Sequence, residues 1–88
     1  MNLVGSQVTL KTFNQASVAP SGVSAAEDYW RLIGKTGEVV AGFGAEPHLR
    51  KRVLVKFHED LARSGLIAHN EVPNALWILV ADLDLRPS

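Results

Sequence analysis

The chain has no cysteine. That excludes disulfides, thiolate metal sites, iron–sulfur clusters and a cysteine nucleophile, so the fold must stand on its core alone. It has no excess of either charge: 9 basic residues face 9 acidic ones. Nucleic-acid binders usually carry a basic surplus, and a neutral chain offers little repulsion against self-association. Aromatics are few, at 7%. No long hydrophobic run exists either. The longest, Ala75 to Ala81, is far too short to cross a membrane as a helix. Met1 to Leu10 lacks a basic start followed by an apolar run, so it does not read as a signal peptide. A cytoplasmic location is the expectation, with no membrane partner.

What is present is aliphatic. Val, Leu and Ile supply most of the apolar residues, which suits one small core. Eighty-eight residues make one domain, spanning 1–88. Norms per residue put its stability at about 4–13 kcal/mol. Dimerisation is a common supplement at this size.

Alternation of apolar and polar residues is the main structural signal. Val4 to Phe13 places Val8 and Leu10 opposite Gln7, Thr9 and Lys11, the pattern of a half-buried strand. Asn14 to Ser24, with Pro20-Ser21-Gly22, reads as a long surface loop. Ser24 to Ile33 is ambiguous. Ser24 and Glu27 have capping-box spacing, and about one helical turn at Ala25–Tyr29 is favoured over a strand. Gly34 is placed to end that helix. A tight turn at Lys35-Thr36-Gly37 then leads to a second strand over Gly37–Phe43. Gly44 to Arg50 fits a hairpin connection. Arg52 to Phe57 forms a third strand, with Val53, Val55 and Phe57 on one face. His58 to Gly65 allows one helical turn closed by glycine. Leu66 to Asn74 is loop. Leu76 to Val80 is the fourth strand, and Asp82 to Leu85 leads into a fifth.

Short strands separated by turns in so small a chain favour a small barrel, because closure removes exposed edges. The expected fold is mainly β: an SH3-like, partly open barrel. It has about five short antiparallel strands and one or two single-turn helices.

The opening Val4-Gly-Ser-Gln-Val-Thr-Leu10, then Tyr29-Trp30, Gly37-Glu-Val39 and Val53-Leu-Val-Lys-Phe57 resembles a known order. It is similar to the SH3-like subunit of photosystem I that helps ferredoxin dock. Gly34-x-x-Gly37-x-Val39 also resembles the glycine-centred KOW element of ribosomal and transcription-factor barrels. The likeness spans about two-thirds of the chain, at the level of strand pattern. It implies the fold and carries over no functional residue.

Motifs for catalysis fail on inspection. Gly34-Lys35-Thr36 looks like the end of a phosphate-binding loop, but the required upstream glycine is Tyr29. His58-Glu59 begins like a zinc-protease helix, but the second histidine position holds Ala62. His48, His58 and His69 lack ligand spacing, so no metal and no cofactor is expected. Asp60, Asp82 and Asp84 do not by themselves make a carboxylate pair, and Asp82 and Asp84 read as capping or solubilising the last strand. An enzyme is disfavoured. Its signature would be a polar pocket with perturbed titratable groups.

Two binding surfaces remain. Tyr29, Trp30 and Trp77, with the Asn14–Ser24 loop, are candidate anchors for a protein partner. The fourth strand sharpens this. Leu76, Ile78 and Val80 face one way, and Trp77, Leu79 and Ala81 the other, yet a small barrel has one interior. The second face is covered either by the Asn14–Ile33 segment, through Tyr29 or Trp30, or by a partner or second copy. The leading expectation is therefore a noncatalytic interaction or accessory module. The alternative is RNA or DNA binding through Arg50, Lys51 and Arg52 in the basic cluster, with Tyr29 or Trp30 stacking on a base.

Overall fold

A computed structural model describes residues 3–42, 51–67 and 72–85. Alternating residues build five strands: β1 (Gln7–Leu10), β2 (Thr36–Ala41), β3 (Arg52–Phe57), β4 (Ala75–Leu79) and β5 (Leu83–Leu85). All pair antiparallel in one sheet of order β4-β3-β2-β1-β5. The fold is mainly β, and the unclosed five-stranded sheet is compatible with an SH3-like fold. No described helix is long and apolar enough to cross a membrane.

Three short 3-10 turns complete the framework, at Ala25–Glu27, Tyr29–Leu32 and Val80–Asp82. The ambiguous 24–33 stretch is thus helical, but as two tight turns rather than one α-turn. The Ser24 side chain makes no capping bond, and Glu27 N–H donates instead to the Ser24 carbonyl. So short a helix leaves no room for the reciprocal box. Gly34 does end the segment, at φ +91°, a region that favours glycine. The turn expected at residues 35–37 lies earlier, because Thr36 and Gly37 already belong to β2. The first strand is also shorter than its alternation, since Gly5 turns the chain at φ +93°.

One face of each strand fills the core. Val8 and Leu10, Val39, Val53, Val55 and Phe57, Leu76 and Ile78, and Leu83 all point inward. Phe13, Tyr29, Leu32, Leu61 and Leu66 close the open side from the connecting segments. Gly37 is there for space: a Cβ would lie 2.6 Å from the Lys56 carbonyl oxygen. The His58–Gly65 turn forms as expected, with Ser64 N–H donating to Asp60 and Leu61 carbonyls and Gly65 at φ +80°.

The double-faced fourth strand is resolved by register. Val53 pairs Ile78 and Val55 pairs Leu76 on the core side, whereas Leu54 pairs Trp77 and Arg52 pairs Leu79 on the other. Leu54 is only 5% exposed although it lies outside the main core. Trp77 and Leu79 beside it are half-buried.

Candidate functional site

The site is built by a turn and a buried acid. Phe13 and Ala16 exchange both backbone hydrogen bonds, at 2.9 and 3.1 Å. Between them Asn14 and Gln15 both have positive φ, 50° and 62°. That is the sign pattern of a type I′ hairpin turn, tolerable for Asn and unfavourable for Gln. Asp82 offsets the strain from across the chain. Its Oδ2 accepts Asn14 N–H at 2.9 Å, and its Oδ1 accepts Gln15 N–H at 2.8 Å and the Thr12 hydroxyl at 2.7 Å. Its main-chain carbonyl also accepts Lys11 N–H. Asp82 is 0% exposed. Of the two roles expected, capping or solubilising, the solubilising one is corrected for Asp82: its carboxylate is a buried structural clamp on backbone N–H groups, while Asp84 is exposed.

The clamped turn presents Phe13 to two aromatic neighbours. Trp30 meets Phe13 edge-on, with ring centroids 4.8 Å apart at 75°. Tyr29 lies tilted against the same ring at 5.4 Å. Phe13, Asn14, Gly22, Val23, Ser24, Glu27, Tyr29 and Trp30 enclose a groove of about 370 Å³. Tyr29 is buried, and its hydroxyl donates to the Ile67 carbonyl. Burial, with Glu27 nearby as a second cause, holds its hydroxyl pKa above the ordinary value. Trp30 is half-buried, and its Nε1–H is shielded from solvent with no hydrogen-bond partner among the described residues. Asp28 Oδ1 is in the same condition.

The predicted anchors therefore divide. Tyr29 and Trp30 come together with the 14–24 loop. Trp77 lies instead on the outer face of β4, against Leu54. The ring contacts among the described residues join Tyr29 and Trp30 to Phe13, not to Trp77. The sequence pattern does not single out Phe13, and it marks Asp82 as a cap or solubiliser of the last strand rather than as a buried clamp. The basic cluster also divides: Arg50, like His48, His69 and the 44–50 connection, lies outside the described residues. Lys51 is exposed. Arg52 is engaged inside the chain, donating to the Trp77 carbonyl at 3.2 Å and to Asn14 Oδ1 at 2.9 Å.

A second concavity, of about 470 Å³, is lined by His58, Glu59, Asp60, Arg63 and Ser64. Its polar groups are tied to neighbours: His58 to Gln7, Glu59 to Lys35 at 3.6 Å, and Asp60 to the Arg63 amide. The P-loop-like Lys35 is thus in an exposed ion pair. His58 meets Gln7 rather than Ser64, so no nucleophile–base pair is assembled here. No group of three metal-ligating side chains occurs among the described residues. The chain matches no family model, no curated protein and no solved structure.

Proposed function

We propose that this chain is a noncatalytic interaction module that docks an extended segment of a partner protein in the Phe13–Trp30 groove. The observation that carries this reading is the groove itself. An aromatic pair sits in a concave wall whose other side is a loop, and the pair is set by an internal clamp rather than by packing alone. Preorganised aromatic anchors bind with little ordering entropy. The unpartnered Trp30 N–H adds a donor whose bond a partner carbonyl supplies after a small ring shift.

The test is selection of binders from a random peptide library, followed by mapping on the isotope-labelled chain. The reading predicts amide shifts concentrated at Phe13, Asn14, Gly22–Ser24 and Trp30, and loss of binding in Trp30→Ala. Binders that perturb only Lys51 and its neighbours, or a chain that binds oligonucleotides and no peptide, would refute it. The second outcome would favour nucleic-acid recognition by the basic cluster.

A further inference from the structure

A sheet edge is a template for another strand unless something blocks it. The order β4-β3-β2-β1-β5 leaves β4 and β5 at the edges. β5 has three residues and an exposed Asp84, which is ordinary protection. β4 reads Ala-Leu-Trp-Ile-Leu, with no charge and no proline.

The ladder fixes which groups face outward. Phe57 N–H donates to the Asn74 carbonyl and Val80 N–H to the Lys51 carbonyl. Hydrogen-bonded pairs alternate in an antiparallel ladder, so Leu76 and Ile78 bond to β3 and the backbone of Trp77 points away from it. Among the described residues, the group that meets this outward backbone is the Arg52 guanidinium, on the Trp77 carbonyl. Its second nitrogen is fixed by Asn14, and Asn14 is fixed by buried Asp82.

We propose that Arg52 is a guard that keeps β4 from pairing with β4 of a second copy of this chain. A second copy fits the edge because an antiparallel pair centred on Trp77 is self-complementary. Each Trp77 N–H reaches the other Trp77 carbonyl about a two-fold axis. The outer faces of Leu54, Trp77 and Leu79 then form one apolar strip across the junction. The strand is uncharged and the chain is neutral overall, so net charge does not oppose the approach. Arg52 opposes it twice. It occupies the acceptor, and the two-fold axis brings the two guanidiniums together as like charges. The guard shares the clamped turn with the groove but does not depend on what the groove binds.

The test is sedimentation equilibrium of the wild type, Arg52→Gln, Arg52→Leu and Arg52→Leu/Leu79→Lys, with amide exchange of Trp77 read by NMR. The wild type is expected to be a monomer with a fast-exchanging Trp77 amide. Either single variant is expected to associate about tenfold more tightly or better, the scale of one charged hydrogen bond. Its Trp77 amide becomes protected as it does so, and Leu79→Lys, which sets a charge on the strip, reverses both effects. Arg52→Gln keeps a polar side chain but loses the charge and the reach of the guanidinium, and it carries the same prediction if Arg52→Leu does not fold. Three results overturn the proposal: a wild type already dimeric through β4, variants as monomeric as the wild type, or association that leaves the Trp77 amide unprotected.

Discussion

Replacing Asp82 tests the construction of the whole site. Its carboxylate accepts from the Thr12 hydroxyl and from Asn14 and Gln15 N–H, and solvent does not reach it. In Asp82→Ala three donors lose their acceptor. A buried group left unsatisfied costs about 1–3 kcal/mol. Three such groups do not add fully, because the turn sits at the surface and water enters once it loosens. About 3 kcal/mol is the expected loss, a large part of the roughly 4–13 kcal/mol that a chain of this length holds. In a domain this small each kcal/mol lowers the melting temperature by about 4–8 °C.

Asp82→Asn separates electrostatics from shape. The amide keeps one acceptor oxygen but turns an NH2 donor toward another N–H. If that oxygen stays on Thr12 and Gln15, the Asn14 bond is lost and two donors oppose each other. A loss of about 1–3 kcal/mol is expected. Thr12→Val removes one donor and its bond together, and should cost about 1 kcal/mol. Urea unfolding gives the three values, and the Asn14 and Gln15 amide shifts report the turn directly. If Asp82→Ala and Asp82→Asn both lie within about 0.5 kcal/mol of the wild type, the clamp does not hold the turn and the reasoning fails.

Gly37→Ala should destabilise by about 1–3 kcal/mol or more, because its Cβ would press on the Lys56 carbonyl at 2.6 Å and on Val55 at 2.9 Å, both in the core ladder; chemical unfolding with an unchanged slope is the check. Tyr29→Phe should cost about 1 kcal/mol at neutral pH through the lost bond to Ile67. It should also change the alkaline limb of the stability curve. Burial raises the folded pKa of Tyr29 above its unfolded value of 10.0, so its contribution is complete below pH 10.0 and is lost as pH rises through the folded value. The phenylalanine variant should fall less steeply there, and parallel curves for both proteins would count against the assignment.

The regular elements were legible because they obey a local period. β3 is bounded by the same residues that its alternation marks, and the core residues of β1 and β4 follow from the same rule. The two-faced character of β4 was also legible, and register assigns the faces: Leu76 and Ile78 inward, Trp77 and Leu79 outward. The 24–33 stretch was read as helical, but its 3-10 form was not, because capping spacing says nothing about a helix of three residues. The burial of Asp82 could not be read. Nothing within a few residues of it announces burial, since the donors that compensate its charge lie about 70 positions away in sequence. Asn14-Gln15 carries part of the signal, for Asn favours positive φ, but Gln does not.

That non-local clamp is what makes the two surfaces a single construction. On one side the turn places Phe13 under Trp30 and so shapes the groove. On the other, the Asn14 side chain fixes Arg52 over the β4 edge. Both rest on two residues at positive φ, one of them a glutamine that has no intrinsic reason to be there. A turn under that strain persists only while its surroundings over-determine it, and here the determinant is one carboxylate. The groove and the guarded edge are therefore not separate features that happen to share a loop. Loosening Asp82 should blunt the anchor and release the guard together, whereas changes at Trp30 or Arg52 should each affect one surface and leave the other intact.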